Sequence, residues 1–128
     1  MTSKYFTLQE ANAALGVIRP LMKEIQSIRR VVERRKPGLW PAMQKSAGNG
    51  GNRELSELAH EFSRLDRLVR EILATGAQIK DLRLGLLDFP ALRQKREVCL
   101  CWKPGEAQIL FWHETDAGFA GRQSIDSF

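Results

Sequence analysis

The sequence predicts an α+β fold: a long antiparallel helical hairpin packed on a small antiparallel β-sheet. Three observations carry this expectation. Two segments in the first half, at about residues 7–36 and 53–74, repeat apolar side chains at three-four spacing, which lays one stripe along a helix. Pro37 to Asn52, rich in proline, glycine and asparagine, breaks the chain between them. From Gln78 onward, short runs of β-branched and aromatic residues alternate with turn residues, as strands do. Two helices alone leave apolar surface uncovered, so the β-segment must cover it, or a second copy of the chain must.

At 128 residues the chain is expected to form a single domain, with the helical hairpin at 7–75, a flexible loop at 37–52 inside it, and a β-rich segment at 76–128. A chain of this size buries roughly two-thirds of its unfolded surface, enough for a core. The net charge of +5 permits contact with nucleic acid or acidic lipid without requiring it. No apolar run approaches the ~20 residues of a membrane span. The opening MTSKYFTLQEANAAL lacks the basic, apolar and small-residue layout of a signal peptide. Cys99 and Cys101 are the only cysteines. Two apart on one strand, they point the same way and are poorly placed to bond each other, so a reducing cytoplasm is the expected location.

Thr7-Leu8-Gln9-Glu10 reads as a capping box, in which the Thr7 hydroxyl and the Glu10 carboxylate each accept from the other's backbone amide. The helix it opens runs to about Lys36, with Leu15, Ile18, Met22, Ile25, Ile28 and Val32 on one stripe. Pro20 predicts a kink or restart near residues 17–19, because it removes a helical hydrogen bond and crowds the preceding turn. The cluster Arg29, Arg30, Arg34, Arg35, Lys36 suits the helix C-terminus. The second half of the Pro37–Asn52 break is expected to be mobile, while Trp40 has enough apolar area to dock. The second helix, about Arg53 to Ala74, carries Leu55, Leu58, Phe62, Leu65, Val69 and Ile72 on its seam, spans ~33 Å, and ends at a C-cap glycine, Gly76. Gln78–Leu82 and Leu84–Phe89 read as short strands, the latter ended by Pro90, in a sheet of three or four strands. Leu92–Lys95 reads as a turn or a single helical turn. Gly118 and Gly121 mark turns in the tail, and Phe119 and Ile125 are expected to pin it to the core.

Arg96 to Arg122 holds two of the three tryptophans and both cysteines. EVCLCWK and AQILFW flank Pro104-Gly105 as a β-hairpin. With these two as the loop, Lys103 lies opposite Glu106, Leu100 opposite Ile109, Val98 opposite Phe111 and Arg96 opposite His113. One face is then Val98, Leu100, Trp102, Ile109 and Phe111, with His113 at its end. The other is Glu97, Cys99, Cys101, Lys103, Leu110 and Trp112. Pro-Gly favours a type II turn, which suits hairpin twist poorly, so a longer loop and a slipped register stay open.

The segments YFTLQEANAAL, IKDLRLGLLDFPAL and EVCLCWKPGEAQILFWHETDAGFAGRQSI resemble a small bacterial family, domain of unknown function 2203. The resemblance covers nearly the whole chain except the Pro37–Asn52 loop. It implies a standalone bacterial cytoplasmic protein and supplies no activity or site residue to carry over.

The candidate chemistry gathers at the hairpin's end. His113, Glu114 and Asp116, with Asp88 and Asp81 on nearby strands, form an imidazole and carboxylate set fit for a divalent transition metal or for acid–base work. The spacing matches no established metal motif, and the plainer reading has His113 capping a sheet face while Glu114 and Asp116 begin a turn. Gly118, Gly121 and Arg122 offer amides and a guanidinium to an anion. The plainer reading pairs Arg122 with Asp88 or Asp116. The cysteines read as small buried apolar groups rather than redox or soft-metal ligands, since no Cys-x-x-Cys pair is present. The basic residues of both helices, Arg64, Arg67 and Arg70 among them, are interrupted by acids, as on a solvated face. The leading functional expectation is an interaction module, homodimeric, acting through the helical pair and the sheet's end. The rival is a small-molecule or divalent-metal-binding protein, an enzyme being one form of it, using Asp88, His113, Glu114, Asp116 and Arg122, with His113, Glu114 and Asp116 as the metal set. Weak nucleic-acid binding ranks third.

Overall fold

The computed structural model describes residues 5–48 and 58–128. The expected mobile run at 49–52 and the expected helix start at 53–57, Leu55 included, lie outside the described residues. The architecture is α+β: three helices, α1 (Leu8–Arg35), α2 (Trp40–Ser46) and α3 (Ala59–Ala74), precede an antiparallel meander of five strands. These are β1 (Gln78–Asp81), β2 (Leu86–Arg93), β3 (Arg96–Trp102), β4 (Phe111–Glu114) and β5 (Gln123–Ser124), in that order across the sheet.

The capping box at Thr7 and Glu10 is formed in both directions. All six stripe residues of α1 and Ala11 are buried, and each such large apolar side chain contributes about 1.5–3 kcal/mol. α1 passes Pro20 without interruption, so no restart occurs. Pro20 faces solvent, while Ile18 and Met22 on either side are held in the core. α3 runs antiparallel to α1, as two ion pairs record: Arg35 with Glu61, and Arg64 with Glu24. Its turn ends at Thr75, and Gly76 follows at positive φ with its amide on Leu73 O, as a C-cap glycine should. The break between the helices contains α2, a helix not expected from the sequence. Its Pro41 occupies the first turn, where a missing N–H costs nothing, and Trp40 and Met43 are buried.

The sheet has five strands rather than the three or four expected, and it departs from expectation in three further places. β2 continues through Pro90 to Arg93 rather than stopping. β1 begins opposite Asp88, so its pairing does not reach Pro90, and the amide of Phe6 donates to Pro90 O at 2.7 Å. A strand residue's N and O point to the same edge, so proline's missing donor falls on an edge with no full strand beside it. The segment expected as a turn or helical turn at 92–95 shrinks to a two-residue hairpin turn, Gln94-Lys95, both at positive φ (52° and 66°). Third, the β3–β4 register is shifted. Leu100 lies opposite Trp112, Cys99 opposite His113 and Val98 opposite Glu114, each three residues beyond the expected partner. Pro104-Gly105 does form a turn, with Gly105 at φ 100° and Glu106 N bonded to Lys103 O. A turn of that type splays flanking strands, so β4 starts only at Phe111 after a wider loop. Trp102 Nε1 on Glu106 O and Ile109 N on Asn12 Oδ1 close that loop.

Candidate functional site

Strand alternation divides the sheet's side chains between two faces. Leu87, Phe89, Ala91, Val98, Leu100, Trp102 and Trp112 join the core shared with the helices. Asp88, Cys99, Cys101, Phe111 and His113 therefore point away from the helices. The three-residue shift is odd, so it exchanges the faces of β4: Trp112 turns into the core and His113 joins the cysteines. The outward groups Asp88, Cys99, Cys101 and His113 are nonetheless buried. The chain after β4 turns back over them. Thr115, Gly118 and Phe119 close a cavity of about 190 Å³ above Asp88, Cys101 and His113, with Lys80 and Leu86 alongside. Gly118 sits at φ 64°, ψ −166°, a conformation essentially confined to glycine.

Within this cavity His113 is oriented from both ends. Its Nδ1 lies 2.7 Å from the Glu114 carbonyl oxygen, which can only accept, so Nδ1 carries a hydrogen. Its Nε2 faces Asp88 Oδ1 at 3.0 Å, and one proton must lie between them. Cys101 completes the group: Asp88 carboxylate, Cys101 Sγ and the His113 ring nitrogen all lie within 4.8 Å of one another. Among the described residues it is the one cluster of this kind. Burial, then the neighbouring Asp88 carboxylate, pushes the Cys101 thiol up from 9.0 to about 12 and the Cys99 thiol to about 11. Without a metal, both stay protonated and inert as nucleophiles at neutral pH.

Of the residues expected here, the structure brings together Asp88 and His113. Glu114 points to the opposite face, where its carboxylate receives both arms of Arg96 at 3.0 and 2.7 Å. Asp116 is exposed, away from the cluster. Asp81 accepts from Leu84 N and holds the β1–β2 turn. Arg122 pairs with neither Asp88 nor Asp116 but with Glu106, at 2.6 and 2.7 Å, and lies over the rings of Phe111 and Phe119. Its charge is met, so Gly118, Gly121 and Arg122 do not present an open anion seat. Phe119, expected as a core anchor, is instead 43% exposed beside Arg122, whereas Ile125 does lie against the core. Several of the basic helix residues have acidic partners, Arg29 with Glu33, Arg67 with Glu71 and Arg70 with Asp66. The apolar stripes are consumed in the chain's own core.

Cys101 is the site member that sequence reasoning set aside. Leu87-Asp88-Phe89 was only a partial signal: alternation sets Asp88 on the face opposite two fully buried residues, and its carboxylate needs a buried partner only because that face is covered as well. Which partner depended on the register.

No curated protein and no solved structure matches the chain. No helix among the described residues is long and apolar enough to cross a membrane. A family model described as "Uncharacterized conserved protein (DUF2203)" matches residues 4–125, nearly the entire sequence. The chain belongs to that family.

Proposed function

We propose that the chain binds a divalent transition metal of the zinc type through Asp88, Cys101 and His113, with a fourth position open to the cavity under Phe119. The metal set expected from sequence, His113 with Glu114 and Asp116, is thereby revised to the residues that converge. The observation that carries the reading is the His113 Nδ1–H bond to the Glu114 carbonyl. It leaves Nε2, which in the metal-free chain shares a proton with Asp88, as the ring nitrogen that a metal would take beside a carboxylate and a thiol; metal-bound histidines commonly donate their other ring N–H to a backbone carbonyl in this way. All three donors are ordinary zinc ligands, and three protein ligands with one open position characterise sites that bind water or a small molecule. Zinc at ~2.0–2.3 Å from tetrahedral ligands sets them about 3.3–3.8 Å apart, so the cluster needs only small side-chain shifts. The metal would displace the Cys101 proton, which burial otherwise retains.

Cobalt titration of untagged, chelator-stripped protein tests this. One equivalent should produce a thiolate-to-cobalt charge-transfer band, lost in Cys101→Ala and weakened in Asp88→Asn. Elemental analysis of protein purified without chelator should find near-stoichiometric metal. Absence of the band together with background metal would leave Asp88 and His113 as a buried structural hydrogen bond.

A second reading is the homodimeric interaction module, working through the helical pair and the sheet's end. It draws on exposed apolar side chains, Val17 on α1 and Leu73 on α3 foremost. These are scattered, and the stripes themselves are already buried, which is why we rank it second. Sedimentation equilibrium decides: a dimer mass that Val17→Glu lowers would restore it, and a constant monomer mass would end it.

A further inference from the structure

α1 and the loops at 82–85 and 103–107 flank a groove of about 660 Å³. Five cations line it: Arg19, Lys23, Arg29, Arg30 and Arg83. The nearby acids are largely engaged elsewhere. Glu24 is turned toward Arg64 on α3, and Glu106 holds Arg122. Glu33 alone serves two of the cations, Arg29 at 3.2 Å and Arg83 at 3.9 Å. Arg19 donates to a neutral carbonyl, Ala107 O, which leaves its charge uncompensated. Lys23 and Arg30 have no charged partner among the described residues. Arg19, Lys23 and Arg30, at spacings of four and seven, lie on one face of α1.

The groove also has apolar walls, with Leu84 half exposed on one side and Pro104 on the other. The two loops approach each other closely: a Cβ on Gly85 would lie 2.6 Å from Pro104 Cγ. The groove's volume falls in the range of small-molecule sites, roughly 300–1,000 Å³. An open groove with several unmatched cations and apolar walls fits a compact ligand with more than one negative charge and an organic body. A carboxylate brings one charge, whereas a phosphate monoester brings about two and several acceptor oxygens that arginine and lysine recognise.

We propose that this groove binds the phosphate ester of a small organic molecule, its phosphate between Lys23 and Arg30 and its body against Leu84 and Pro104. The site is separate from the Asp88–Cys101–His113 cluster and does not depend on the metal reading.

Adenosine 5′-monophosphate is a suitable probe, with adenosine and inorganic pyrophosphate alongside, followed by calorimetry and by amide chemical shifts in full-length protein. The monophosphate should bind and shift amides of α1 and of the two loops, and adenosine should not. Lys23→Gln with Arg30→Gln should weaken binding about tenfold or more, the loss of one or two charge-assisted hydrogen bonds. Arg34→Gln with Lys95→Gln removes the same charge from exposed positions outside the groove and should change affinity less than about twofold. Circular dichroism checks that both variants fold. The proposal is overturned by any of three results: neither phosphate compound shifts the groove amides at millimolar concentration, adenosine binds as well as its monophosphate, or both double variants lose affinity equally. Binding of a single-stranded oligonucleotide alone, with steep salt dependence, would also overturn it and mark a polyanion surface instead.

Discussion

Cys101 was legible as a buried cysteine but not as a partner of His113. A thiol between two large apolar residues in a strand, Leu100 and Trp102, looks the same whether it faces a core or a carboxylate. Its environment makes a pH prediction. In metal-free protein the folded state holds the Cys99 and Cys101 protons up to about 11 and about 12, whereas an ordinary thiol, as in the unfolded chain, loses its proton near 9.0. The folded state therefore binds more protons in this window, so this contribution to stability is complete below the unfolded value and falls as pH rises toward the folded ones. Urea midpoints should decline steeply above about pH 9, and Cys101→Ala should make that decline shallower. Parallel declines in the two proteins would mean that the thiol does not govern alkaline unfolding.

Among the elements, helices were read best and the strand turns worst. The capping box, the stripe of α1 and Gly76 all act within four residues of one another, so they are visible in a local window. The Gln94-Lys95 turn carried no such mark. A two-residue hairpin turn with both φ positive favours Asn-Gly, and neither Gln nor Lys adopts that conformation without cost. Gln94→Asn with Lys95→Gly should stabilise the protein by about 1 kcal/mol or more, raising the thermal midpoint by several degrees. An unchanged midpoint would show that the turn stores no strain. Pro104-Gly105 teaches the complementary lesson. The turn type was correctly anticipated, but the strands could not close directly on it, and that displaced β4 by three residues.

Across the whole molecule, the first helix holds the last hairpin in place. Asn12 Oδ1 accepts from Ile109 N at 2.7 Å, 97 residues away, and Arg19 grips the same loop through Ala107 O. Asn12→Ala should leave a part-buried amide unpaired and cost about 1–3 kcal/mol. Because that loop sets where β4 begins, the variant should also weaken cobalt binding at the cluster, whereas Arg34→Gln, on an exposed surface, should alter neither. Full cobalt affinity in Asn12→Ala would show that the register of His113 is held by the sheet alone.

By itself, the sequence determined the α+β class, the helical hairpin, the existence of the late β-segment and the grouping of Asp88 with His113. Those features follow from hydrophobic period, caps and composition, which act along the chain. The tertiary structure decided which side chains meet. With a side-chain period of two, an odd register shift moves every residue of a strand to the other face, and register depends on contacts far apart in sequence. That shift carried Trp112 into the core and His113 to the outward face, beside Cys101 and Asp88. The basic groove likewise needed the fold, since its cations come from α1 and from a loop more than fifty residues later, and only packing showed which acids were already engaged elsewhere.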